Sequence, residues 1–336
     1  MRRQWAVVLA CAVALAFPLL FQDNFSNNLA ILVLLYAMLG TAWNVLGGFA
    51  GQVSLGHAMF FGTGAYTSSW LLAHAHVNPW LGMLAGGAAA IVLSLIVGYP
   101  TFRLAGHYFA IATIAVGEIV VAVATNWEPV GGAVGLTLPL QPPSPLNFQF
   151  GTGKTGYYYI ILALLAAAVL AAWLVQRSRI GFYLAAIRED PEGARSVGIN
   201  LRSCKLIAIA VSALFTALGG SFYAQYVLFI DPGSVLSLNL SILISLVAIL
   251  GGVGTLWGPL IGALVLLPLS EFTRVYLANL GGGGRAVNLV IYGFLIMLIS
   301  AYQPNGLVGL FKRRRKRSGL DQGSLADQRP PEGALV

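Results

Sequence analysis

The sequence predicts an all-α, polytopic integral membrane protein of about ten spans, some of them short or glycine-broken, with both termini cytoplasmic. Three observations carry that prediction. Of the 336 residues, 58% are hydrophobic and 9% are charged, against an apolar share of roughly 45–50% in soluble domains. Mean hydropathy is +0.80, and the apolar residues gather into runs near the roughly 20 residues that one bilayer crossing needs. The basic residues are segregated. A ten-span trace that starts inside leaves only Lys154, Arg274 and Arg285 of the 19 Lys and Arg on the outer side, and such a bias places both termini and the central charged loop in the cytoplasm. The formal charge of +8 therefore reports topology and gives no reason to expect nucleic-acid binding.

The runs read as spans are Trp5 to Phe21, Leu29 to Leu46, His57 to Ala73, Trp80 to Tyr99, Tyr108 to Thr125, Tyr157 to Val175, Leu206 to Ile230, Leu240 to Leu250, Pro259 to Thr273 and Val287 to Tyr302. Several are short. Shortness points to broken or buried segments, because non-helical backbone survives at membrane depth only where protein or a wet cavity shields it. Residues 1–28 supply the first span and an external loop. Their Arg2, Arg3 and Ala14-Leu15-Ala16 resemble a cleaved signal, but an uncleaved span suits the remaining topology better. Cys11 and Cys204 fall in a span and on the inner side, so neither a disulfide framework nor a metal site is expected.

Gly47 to Ser69, GGFAGQVSLGHAMFFGTGAYTSS, is the most unusual apolar stretch. Two readings of it compete. Small residues let transmembrane helices pack closely, which explains the glycines. A helix break lining a permeation route also explains Gln52, Ser54 and His57, although His57 alone reads as a hydrogen-bonded structural residue. A second glycine-rich break, Gly251 to Gly262, follows another span running the same way and hints at internal duplication. Glu118 lies near the middle of a span. A carboxylate there costs a few kcal/mol unless paired, wet or protonated, so it is expected to face the protein interior, either in a structural hydrogen bond or in a proton relay.

Asn126 to Lys154 reads as an external loop. Its Gly151-Thr152-Gly153-Lys154-Thr155 imitates the tail of a phosphate-binding loop, but Phe148 stands where the full pattern needs glycine, so nucleotide binding by this chain is not expected. The charged island Arg177 to Lys205 concentrates Arg188, Glu189, Asp190, Glu192 and Arg195 within two helical turns. Asp190 and Pro191 read as N-cap and first helical residue, and Gly198 as the stop. The result is a surface helix roughly 10 Å long, either a solvated loop or a docking helix for a soluble partner. Lys312 to Arg317 directly follows a span, where basic clusters bind anionic lipid. Ser318 to Val336 reads as a disordered tail.

Four ordered runs, GFAGQVSLGHAMFFGTGAYTS, RLAGHYFAIATIAVGEI, SRIGFYLAAIREDPEGARSVGIN and GGVGTLWGPLIGALVL, together resemble the permease subunits of branched-chain amino-acid ABC importers of the LivM type. The resemblance implies a permease domain over residues 29–311 with a coupling loop at 177–205. It also implies a second homologous permease, two cytoplasmic ATP-binding subunits, a periplasmic substrate-binding protein and residence in a bacterial inner membrane. Glu192, Ala194 and Gly198 match the E-A-A-x3-G core by which importer permeases dock on their ATPases, although Gly193 occupies the middle position and the downstream Ile-x-Leu-Pro element is absent. The implied coupling set is Arg188, Glu189, Asp190, Pro191, Glu192, Ala194, Arg195 and Gly198. Gln52, Ser54, His57 and Glu118 are the candidates for the translocation path. No cofactor and no catalytic residue are expected, since hydrolysis would belong to the partner chains. Two alternatives remain: a urea or short-chain amide importer of similar design, and an ion-coupled transporter using Glu118.

Overall fold

The computed structural model describes residues 14–18, 23–104, 106–151, 153–278, 293 and 306–307. Most of Trp5 to Phe21, the run Val287 to Tyr302 apart from residue 293, the Lys312 to Arg317 cluster and the tail lie outside the described residues.

Every apolar run between residues 29 and 273 forms a helix. Helix α1 spans Asn24–Asn44, opened by Asp23, whose carboxylate accepts from the Ser26 N–H, and it continues as a π-helical turn over Val45–Phe49. Next come α2 (His57–Ala75), α3 (Pro79–Thr101), α4 (His107–Asn126) and α5 (Thr155–Arg177). The charged island folds as two short helices, α6 (Arg179–Glu189) and α7 (Pro191–Ser196), before α8 (Leu201–Val227). Then follow α9 (Pro232–Val235), α10 (Leu238–Gly251) and α11 (Gly258–Ala278). Among the described residues, six segments are long and apolar enough to cross a membrane: Asn24–Phe49, Pro79–Thr101, His107–Asn126, Thr155–Arg177, Leu201–Val227 and Pro232–Gly251. The chain is therefore a multi-pass membrane protein. The described residues are all-α apart from a two-residue antiparallel pair, Leu136 with Ile230 and Thr137 with Phe229, and an isolated bridge between Ser144 and Gln149.

Helix α1, 72% buried over its most apolar window, and α8, 56% buried, form the centre, whereas α4 is only 17% buried. Close approach is bought with glycine. A Cβ on Gly64 would overlap the Ala217 carbonyl, and one on Gly220 would overlap that of Phe61, so α2 and α8 pack backbone to backbone. The small-residue packing reading thus holds for the helical half of Gly47 to Ser69.

The loop at residues 127–154 is tied down at the opposite end from the charged island. Trp80 Nε1 donates to the Pro145 carbonyl at 2.9 Å, and Asn78 Nδ2 to that of Leu146 at 3.1 Å. Phe148 is fully buried among the rings of Trp80, Tyr157 and Phe222. Lys154, part of the false phosphate-loop pattern, lies over the Tyr226 ring.

Candidate functional site: two glycine breaks and the charged loop

A helix that stops leaves its last carbonyls without intrahelical partners, and two helices stop side by side here. The first is α1. Its π-helical turn swings the backbone over the Trp43 indole, so that a Cβ at Gly47 would overlap that ring. Gly51 then takes φ +67°, a conformation natural to glycine, and the chain runs extended to α2. The second is α10, which ends at Gly252, followed by Gly254 at φ +74°. Asn44 joins the two. Its Oδ1 accepts from the Gly254 N–H at 2.8 Å, while its Nδ2 donates to the Thr255 carbonyl at 3.0 Å.

Both breaks lie at the end of the molecule that carries the charged island. Arg188, at the end of α6, donates from Nη1 to the Gly48 carbonyl at 3.1 Å. Its Nη2 and Nε reach the Glu189 carboxylate at 2.7 and 3.2 Å. The breaks are therefore reversals between helices at the end of the molecule that carries the charged loop.

Ser54 and His57 are fully buried. His57 Nδ1 pairs with Ser54 Oγ at 3.0 Å and Nε2 with Ser212 Oγ at 2.8 Å, so the imidazole pins α2 to α8. Trp43 Nε1 donates to the Ser54 carbonyl, Leu55 N–H to Thr113 Oγ1 and Ala58 N–H to Ser241 Oγ. Of the three candidates only Gln52 is partly exposed, and its Oε1 is buried without a hydrogen-bond partner. Glu118 requires a correction. It is exposed on the outward side of α4, beside Ile111 and Ile119, and does not face the interior of the chain.

The island behaves as its local sequence dictates. Ser178 caps α6 by accepting from Gly181 N–H. Asp190 Oδ1 caps α7 by accepting from Glu192 N–H at 3.1 Å, ahead of Pro191. Gly198, at φ +85°, closes α7 with two bonds, Gly198 N–H to the Arg195 carbonyl and Ile199 N–H to that of Ala194, the Schellman pattern. Ala194 is buried with Leu184 and Ile187. Glu192 and Arg195 point outward, 3.6 Å apart, a pairing worth little at an exposed site. Sequence reasoning missed Phe182 and Val197, which are 71% and 77% exposed on this loop. It also missed an apolar cleft of about 500 Å³ between α2 and the far end of α4, lined in part by Thr63, Tyr66, Trp70, Val123 and Trp127.

Sequence comparison decides what kind of membrane protein this is. Residues 26–300 match the model of the family described as the permease component of the branched-chain amino acid transport system. The chain belongs to that family. Among its relatives, the high-affinity branched-chain amino acid transport system permease protein LivM of Escherichia coli (strain K12) is 26% identical over 346 residues, covering 95% of this chain and 78% of its own. LivM of Salmonella typhimurium (strain LT2) is 27% identical, covering 94% and 77%. LivH of Escherichia coli (strain K12), a permease protein of the same transport system, is 23% identical, covering 82% and 91%. This permease is thus one component of a transport system, and both glycine breaks and the charged loop fall inside the matched region.

Proposed function

We propose that this permease is the transmembrane subunit of an ATP-binding-cassette importer for branched-chain, hydrophobic amino acids. It would move substrate inward by alternating access driven by partner ATPases. The loop of α6 and α7 supports this reading most directly. It is capped at both ends, rooted in α5 and α8, and presents Phe182 and Val197 beside Glu192 and Arg195. Exposed apolar side chains ringed by charge have the composition of an interface that a partner covers, and a solvated loop has no use for them. Ala194 is buried beneath that surface, while Asp190, Pro191 and Gly198, which shape the loop, are themselves exposed on it.

The assembly so read contains a second homologous permease, two cytoplasmic ATP-binding subunits and a periplasmic substrate-binding protein, in a bacterial inner membrane. Anionic lipids would meet Lys312 to Arg317. Movement of the ATPases would push the loop, and α5 and α8 would carry the push into the bundle. The test is uptake of labelled leucine into vesicles holding the complete assembly. Uptake should need ATP and survive collapse of the proton gradient. Leucine uptake by the chain alone, driven by an ion gradient, would overturn the reading, and uptake of urea in place of leucine would reassign the substrate.

A further inference from the structure

We infer that Arg188 is a positioning residue of the transport cycle, a latch that makes the cytoplasmic loop and both glycine breaks move as one body. Its distinguishing feature is the juxtaposition of one guanidinium with the C-terminal ends of two helices. Each helix end carries about half a negative charge in its unpaired carbonyls. Neither α1 nor α10 has a basic residue in its own last turn. The cation comes instead from a loop 140 residues further along the chain, through the bond to the Gly48 carbonyl.

The pocket is left open for this side chain by two missing Cβ atoms, and a third lets the two breaks meet. A Cβ on Gly51 would lie 2.7 Å from Arg188 Cγ, and one on Gly254 would lie 3.0 Å from Arg188 Nη1. A Cβ on Gly48 would lie 2.6 Å from the Gly254 nitrogen and would overlap the Asn44 amide. Asn44 then ties the second break to the first, across 210 and 211 residues of sequence. Arginine suits the position because its planar fork can serve the carbonyl and the Glu189 carboxylate together, whereas a lysine ammonium cannot span both with the same geometry. Arg188 keeps 40% of its side chain exposed, but its fork is already engaged by the Gly48 carbonyl and the Glu189 carboxylate. The exposed Phe182, Glu192, Arg195 and Val197 are left to meet a partner.

This inference rests on the proposed function for its role in transport, and not for the latch itself, so two measurements separate them. In the purified chain, hydrogen exchange is followed at residues 45–56 and 251–257. Arg188→Ala should speed exchange in both segments by about ten-fold, the effect of losing one charge-assisted hydrogen bond. Arg188→Lys should restore part of the protection, and Asn44→Ala should release the second segment more than the first. Unchanged exchange at 251–257 in Arg188→Ala overturns the latch.

In the complete assembly, Arg188→Ala and Asn44→Ala should keep the ATP-binding subunits bound. The solute moved per ATP hydrolysed should fall about ten-fold or more. Loss of those subunits from Arg188→Ala but not from Asn44→Ala would make Arg188 a docking contact and overturn the inference. An unaltered ratio would do the same. A wild-type assembly that shows no ATP-dependent uptake sinks the functional reading instead, and the exchange experiment still decides the latch.

Discussion

His57 shows how a polar residue in an apolar helix can be structural. Both ring nitrogens are engaged by hydroxyls from different elements, Ser54 and Ser212, and the ring packs edge-on against Phe60. Removing it empties a volume and orphans two buried hydroxyls, so His57→Ala should cost about 3–5 kcal/mol. Ser212→Ala, which leaves the Ser54 bond intact, should cost about 1–2 kcal/mol. Thermal unfolding of the detergent-solubilised protein, read by tryptophan fluorescence, would check both values and their order. Such pairing is invisible in sequence, because Ser212 lies 155 residues from His57. The same is true of Asn44, whose amide is satisfied by Gly254 and Thr255 and which no local pattern singled out.

At the scale of elements, α7 was legible because its signals are local. Asp190, Pro191 and Gly198 sit within nine residues, and each acts on backbone groups next to it. Asp190→Ala should destabilise the loop by about 1 kcal/mol through the lost cap, and Gly198→Ala by about 1 kcal/mol because alanine dislikes positive φ. Limited proteolysis between residues 177 and 205 should quicken in both variants while the bundle melts as before. Val197→Asp acts on a different property of the same element. It leaves α7 folded but places a charge in the apolar part of the exposed surface, and it should reduce co-purification of the ATP-binding subunits at least ten-fold, about 1.4 kcal/mol or more. Helix α6 was not anticipated, since Arg179–Glu189 is a short run with Gly181 near its start and its only basic residues at 179 and 188, too brief to declare a helix before its packing on α8 is known. The glycine breaks were located correctly as places where helices stop.

For the molecule as a whole, α4 is the exception. It is apolar enough to span a membrane, yet it is 17% buried and carries Glu118 on its open side. A carboxylate against hydrocarbon costs roughly 2.5–3.5 kcal/mol or more, so in the proposed assembly that side of α4 faces a second subunit or water. A cysteine variant, Glu118→Cys, should react with a water-soluble maleimide more slowly in the complete assembly than in the isolated chain; equal rates would leave α4 outside the subunit contact. Composition, hydropathic runs and local capping signals were enough to determine that this chain is helical, crosses the membrane repeatedly and carries a capped charged loop, because each of those properties is set by neighbours in sequence. Which side of α4 is bare, which glycines admit a backbone and which admit Arg188, and that Asn44 links two helix ends were decided only by the packed structure, because they depend on atoms brought together from residues more than a hundred positions apart.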